Sequence, residues 1–156
     1  MNKQKMLVVD DSLFNRQVLK ELFDAEFDVY EACDGVEALD CMRQYAAVLT
    51  VVLLDIVMPK KDGLDVLRDM QADVRLKSLP VIITSSASDD VYRMKALELG
   101  AVDYISTPFN PPLVKLRVRS TLATREYDRL RLQNEMLSIQ NKEDAGYRAV
   151  LEDART

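Results

Sequence analysis

Asp10, Asp11 and Asp55 are the side chains of this sequence best placed to do chemistry, because each stands where an apolar run stops. Lys5-Met-Leu-Val-Val9 ends at Asp10-Asp11, and Val51-Val-Leu-Leu54 ends at Asp55. A third run, from Leu79 to Ile83, ends in hydroxyls at Thr84-Ser85-Ser86. Short apolar runs of this kind read as strands buried on both faces. Open parallel sheets hold their chemistry in the crevice beyond the carboxyl ends of the strands. Three carboxylates gathered there repel one another and raise one another's pKa unless a cation lies among them. All-oxygen ligands suit Mg²⁺ better than zinc. A carboxylate beside Mg²⁺ is also a competent nucleophile towards a phosphoryl group, and Thr84 can hydrogen-bond a phosphoryl oxygen. Each acid alone reads as a solvated loop residue; the three together carry the argument.

The elements that must position these groups follow from the chain in order. Ser12 is an N-cap candidate for a helix from Leu13 to about Ala25, with Phe14, Val18 and Leu22 on one face and Leu19 and Phe23 beside them. Phe27 to Ala32 reads as an edge-side strand broken by Asp34-Gly35. A helix from Val36 to Tyr45 follows, amphipathic through Val36, Leu39 and Met42. Val48 to Leu54 is the central strand, and Pro59 and Gly63 force the loop after Asp55 to turn. Then come a helix from Leu64 to Ala72, the strand into Thr84, and a helix from Asp89 to Leu99 stopped by Gly100. A last strand from Ala101 to Ile105 closes at Thr107-Pro108-Phe109. Five strands alternating with helices mean a doubly wound α/β parallel sheet with right-handed crossovers.

Pro111-Pro112 opens a helix expected to run from Leu113 to about Lys142, with no further Pro or Gly before Gly146. Val114, Val118 and Leu122 can cover the sheet. Beyond them runs a heptad: Leu113, Leu116, Ser120, Ala123, Tyr127, Leu130, Asn134, Leu137, Asn141. Asn in such a seam favours a two-stranded, in-register pair, so a homodimer through this helix is expected. Tyr147, Val150 and Leu151 repeat at helical spacing after it. The charge changes here too. Residues 1–112 carry 12 basic and 19 acidic side chains, and residues 113–156 carry 9 and 7. The expected division is 1–122 for a globular domain and 123–156 for a helical coiled-coil linker, leading to an absent output domain or closing a stand-alone dimer.

Composition removes several classes. The 156 residues are 48% hydrophobic, which argues against disorder, and a net charge of −5 argues against nucleic acid as main partner. With no histidine, histidine triads, Cys/His zinc sites and a histidine phosphorelay within the chain are impossible. Cys33 and Cys41 read as reduced packing residues. No signal peptide or membrane-spanning run is seen, so a cytoplasmic setting without membrane contact is expected. No helix-turn-helix fits after residue 112, and no Gly-rich turn follows the first strand, which argues against direct DNA binding and dinucleotide chemistry.

The motifs Val8-Val9-Asp10-Asp11-Ser12, Leu54-Asp55-x-x-Met58-Pro59-x-x-Asp62-Gly63, Ile83-Thr84, Gly100-Ala101-x-Asp103-Tyr104 and Pro108-Phe109 stand in one order and spacing. Over residues 3–122 the chain resembles the receiver domain of two-component response regulators. The resemblance implies a flavodoxin-like sheet of order 2-1-3-4-5, with Asp55 as phosphoacceptor. It implies Mg²⁺ on Asp10, Asp11, Asp55 and the Val57 carbonyl, and Thr84 and Tyr104 as a switch pair. The donor would be a histidine kinase or phosphotransfer protein. The output surface would be the fourth helix, fifth strand and fifth helix. No enzymatic activity is implied beyond self-catalysed phosphorylation and dephosphorylation. The bond before Pro108 is usually cis in that family.

One position departs from the pattern. Where the family carries a lysine before that proline, this sequence has Thr107. A lysine gives phosphoryl oxygens a charge-assisted contact, and a threonine offers at most a neutral hydroxyl. The departure supports an alternative, a pseudo-receiver acting as a phosphate-independent binding and dimerisation module. Lys60 and Lys61 are candidates to replace the missing charge. A haloacid dehalogenase-type phosphatase is disfavoured, since it needs a second acid where Val57 stands.

Overall fold

A computed structural model of the chain describes residues 3–86 and 90–155, with side chains through 151. Strands and helices alternate: β1 (Gln4–Val9), α1 (Leu13–Phe23), β2 (Phe27–Ala32), α2 (Gly35–Tyr45), β3 (Leu49–Asp55), α3 (Gly63–Gln71), β4 (Val81–Ser86), α4 (Asp90–Glu98), β5 (Asp103–Thr107) and α5 (Pro111–Arg155). Asp89, expected to open the fourth helix, lies outside the described residues. The strands form one parallel sheet of order β2-β1-β3-β4-β5, so Phe27–Ala32 is an edge strand as expected.

Burial explains the central position of β3. Val51 to Leu54 are fully buried, as are Met6 to Val8 of β1, because helices cover both faces of a parallel sheet. Among the described helices, α1, α2 and α3, like α5 on Asn110, start on side-chain caps that take up an otherwise unpaired N–H. Ser12 Oγ accepts from Asn15, Asp34 Oδ1 from Glu37 and Asp62 Oδ1 from Asp65. Gly100 takes φ +108° after α4, a conformation that favours glycine at a helix end.

Two helical faces differ from expectation. In α1 the buried residues are Leu19 and Phe23, while Phe14 is 72% exposed. The first turn of α1 stands at the carboxyl edge of the sheet, where β1 has ended, so Phe14 has little to pack against. In α2, Ala38, Leu39 and Met42 are buried and Val36 is exposed, a modest rotation of the same stripe. The cysteines are free, but only Cys41 packs on the core; Cys33 is exposed and its thiol donates to Glu37 Oε2 at 3.0 Å.

The described residues divide into two compact units between Thr121 and Leu122. In the first, Val114 and Val118 of α5 are buried. In the second, the chain is helical and every described side chain from Ala123 to Leu151 is exposed. The helix passes Lys142 and Gly146, because one glycine in a helix costs only about 1 kcal/mol relative to alanine. Tyr127, Leu130 and Leu137 of the heptad stay exposed, as do Leu132, Met136 and Ile139 outside it. No helix of the described residues is long and apolar enough to cross a membrane.

Candidate functional site

The strand register brings the acids together. Val9 pairs with Leu54, so Asp10 and Asp55 leave adjacent strands side by side, and Asp55 pairs with Thr84 on β4. Carboxylate oxygens of Asp10, Asp11 and Asp55 lie within 4.8 Å of one another. A cleft of about 320 Å³ opens there, lined by Asp10, Asn15, Asp55, Val57, Ser85, Ser86 and Thr107.

Asp10 is held on every side. It is 2% exposed; its Oδ1 accepts from the Ser12 N–H at 2.8 Å and its Oδ2 from Asn15 Nδ2 at 3.2 Å. Arg16 Nη1 donates to its backbone carbonyl at 2.7 Å and pairs with Glu31. Asp55 Oδ1 accepts from the Val57 N–H at 3.3 Å. The loop that follows is tied back by Gly63 N–H to the Ile56 carbonyl at 2.7 Å. A Cβ at Gly63 would lie 2.5 Å from the Asp55 carbonyl oxygen, so only glycine lets the loop pass so close.

Residues 6–119 match the family of the response regulator receiver domain. The chain belongs to the response regulator receiver family. It is 37% identical over 126 residues to the aerobic respiration control protein ArcA of Escherichia coli (strain K12), covering 79% of this chain and 50% of that protein. Over 119 residues it is 39% identical to the transcriptional regulatory protein CpxR of Klebsiella pneumoniae (strain HS11286), covering 76% and 49%. A response regulator receiver domain protein from Clostridium thermocellum superposes with a TM-score of 0.73 at 25% identity, covering 80% of this chain and 98% of that one. The chain spans about half the length of the curated relatives it matches.

In this receiver, burial first and the neighbouring Asp10 second push the Asp55 carboxyl up to about 7, against the lowering pull of the Val57 and Ile56 N–H groups. Burial likewise raises Asp10 above the usual carboxylate range. Three close carboxylates, two of them held from ionising easily, fit a hard divalent cation: the donor set is all oxygen, and the cation would offset the repulsion. Asp10, Asp11 and Asp55 can hold it, and Val57 lines the same cleft.

The hydroxyl side is built from the ends of β4 and β5. Thr84 is buried opposite Asp55 in the ladder, but the cleft itself is lined there by Ser85, Ser86 and Thr107. Thr107 Oγ1 donates to the Ser85 carbonyl at 3.4 Å, so its proton is already engaged. The Thr107–Pro108 bond is cis. Lys60 and Lys61 do not line the cleft. Lys60 sits at φ 65° in a tight turn closed by Lys61 N–H on the Pro59 carbonyl and pairs with Asp34, while Lys61 pairs with Asp69. Tyr104 is half-buried, with the guanidinium carbons of Arg93 and Arg117 at 4.9 and 5.4 Å from its ring centre.

Sequence reasoning did not single out Asn15 or Arg93. Asn15 carried a signal, three residues after the Ser12 cap and hence one turn from Asp10. Arg93 carried none, because Ser85, Ser86 and Ser106, to which it bonds, lie on other elements.

Proposed function

We propose that this receiver is phosphorylated on Asp55 in a Mg²⁺-dependent reaction and signals through α5. The observation that carries the reading is the meeting of the Asp10, Asp11 and Asp55 oxygens in one cleft, with Asp55 left near neutrality by burial and like charge. Asp10, Asp11, Asp55 and the Val57 carbonyl are the ligands assigned to the cation. Bound there, a divalent cation neutralises carboxylate and phosphoryl oxygens. Asn15 and Ser12 fix the orientation of the Asp10 carboxylate. An Asp55 oxygen attacks phosphorus and forms the O–P bond, while the P–N bond to the donor histidine breaks and the imidazole nitrogen keeps the electron pair. Receiver domains take the phosphoryl group from histidine kinases, and a histidine kinase or phosphotransfer protein is the donor assigned here. The chain turns over no other substrate on this reading.

Thr84 and Tyr104 are the assigned switch pair, and the setting is cytoplasmic. The second unit is assigned as a homodimerising helical linker. The exposure of Leu130 and Leu137 at heptad spacing supports that role. Leu130→Glu combined with Leu137→Glu should convert a dimer to a monomer in light scattering; a wild type already monomeric at high concentration removes the assignment.

The deciding experiment is intact mass after incubation with acetyl phosphate, with and without Mg²⁺, beside Asp55→Asn. One phosphoryl adduct is expected, in the wild type and with Mg²⁺ only. An adduct on Asp55→Asn would place the acceptor elsewhere. Thr107 favours a second reading, a pseudo-receiver that works by binding alone. Intact Mg²⁺ binding without any adduct would select it.

A further inference from the structure

Thr107 leaves the β4–β5 side of the cleft without the cation that a phosphoryl group would meet, yet a guanidinium stands directly behind that wall. Arg93 of α4 donates from Nε to Ser85 Oγ at 2.9 Å and from Nη2 to the Ser86 carbonyl at 2.9 Å. Nη2 also reaches Ser106 Oγ at 3.4 Å. Ser85 and Ser86 line the cleft. The strand register explains why one side chain reaches all of these. Ser85 pairs with Ser106 and Ile83 with Tyr104, so Ser85, Ser106 and Tyr104 share the sheet face opposite to that of Asp55 and Thr84.

Among the described residues, the charge on Arg93 meets one carboxylate, and that one is exposed. Its side chain is 14% exposed, and the groups it bonds in the wall are neutral. Its carboxylate partner, Asp90, lies at 3.2 Å but is 81% exposed and so screened by water. Arg117, on the same Tyr104 ring, is different: it pairs with both oxygens of Asp103 at 3.0 and 3.1 Å. Arg16 serves the opposite wall and is paired with Glu31. A half-buried guanidinium whose described carboxylate partner is exposed favours an anion nearby, and a full charge acts over distances at which a hydroxyl dipole does not.

We propose that Arg93 is the positioning cation of this receiver: seated on Ser85, Ser86 and Ser106, it supplies the positive field that Thr107 lacks and ties cleft occupancy to Tyr104 and α4. The inference rests on phosphorylation at Asp55. It assigns Arg93 no contact with the phosphoryl group, only action through the wall.

The test is the rate of Asp55 phosphorylation by acetyl phosphate with Mg²⁺, followed by intact mass, in five proteins of this whole sequence: wild type, Arg93→Gln, Arg93→Lys, Thr107→Lys and the double variant Arg93→Gln with Thr107→Lys. Arg93→Gln should slow the reaction about fivefold. Adding Thr107→Lys to Arg93→Gln should restore most of the rate, and should speed that variant more than it speeds the wild type. Arg93→Lys, which keeps the charge, should lose less than Arg93→Gln. An unchanged rate in Arg93→Gln would overturn the proposal. So would a loss that neither Thr107→Lys nor Arg93→Lys repairs, which would make Arg93 a structural prop only. No adduct on the wild type would instead sink the phosphorylation reading beneath it, and with it this inference.

Discussion

The β1–β3 wall of the cleft presents Asp10, Asp11 and Asp55, whereas the β4–β5 wall presents Ser85, Ser86 and Thr107. The first wall is over-supplied with charge and the second has none of its own. The difference lies in how each is supported. The Asp10 carboxylate is fixed by Ser12 and Asn15, and its backbone carbonyl by Arg16, so the carboxylate is held towards its neighbours. The hydroxyl wall is backed by Arg93 on the far face of the sheet, whose bonds run to the Ser85 and Ser106 hydroxyls and the Ser86 carbonyl and whose ion pair is with the exposed Asp90. On the proposed function, one wall would act by direct coordination, and the other by neutral hydrogen bonds with a charge behind them.

Changes on the acidic wall should accordingly have the larger effects. Asp10→Asn should weaken Mg²⁺ binding about a hundredfold by calorimetry, since a charged ligand held in place is lost. An affinity within a factor of two of wild type would mean that the cation sits elsewhere. Thr84→Ala removes a neutral hydroxyl and should slow phosphorylation by acetyl phosphate about tenfold at most. A loss as large as that of Asp55→Asn would break the contrast between the walls.

A further effect concerns stability without metal. Asp55 ionises at about 7 when folded, against an ordinary value of 3.8. Between these values the folded state binds the extra proton, so stability should fall as pH rises from about 4 to 7 and level off above. In EDTA, denaturant unfolding of Asp55→Asn should show a shallower fall over that window. Equal slopes in the two proteins would mean that the Asp55 carboxyl is already ionised at low pH.

Much of this was legible before any coordinates. Four successive buried residues, Val51 to Leu54, announce a strand covered on both faces, and a strand ending in an acid places that acid at the crevice. Ser12 announces a cap because a hydroxyl before an apolar period satisfies an orphan N–H. Less was legible where packing depends on what lies opposite. The spacing of α1 offered Phe14 and Phe23 alike, and only Phe23 found the core. Lys60 and Lys61 were close to Asp55 in sequence, but the turn at Lys60 and the carboxylates of Asp34 and Asp69 took them elsewhere.

By itself the sequence determined the alternation of strands and helices, the acids at the strand ends, and a hydroxyl at Thr107, where the family it resembles carries a lysine. Those are local properties, written in periodicity and residue type. Only the tertiary structure decided that Arg93 stands behind Ser85 and Ser86, bonded to both. That placement depends on the register of β4 against β5 and on the way α4 packs over them, and neither is encoded in the residues around position 93.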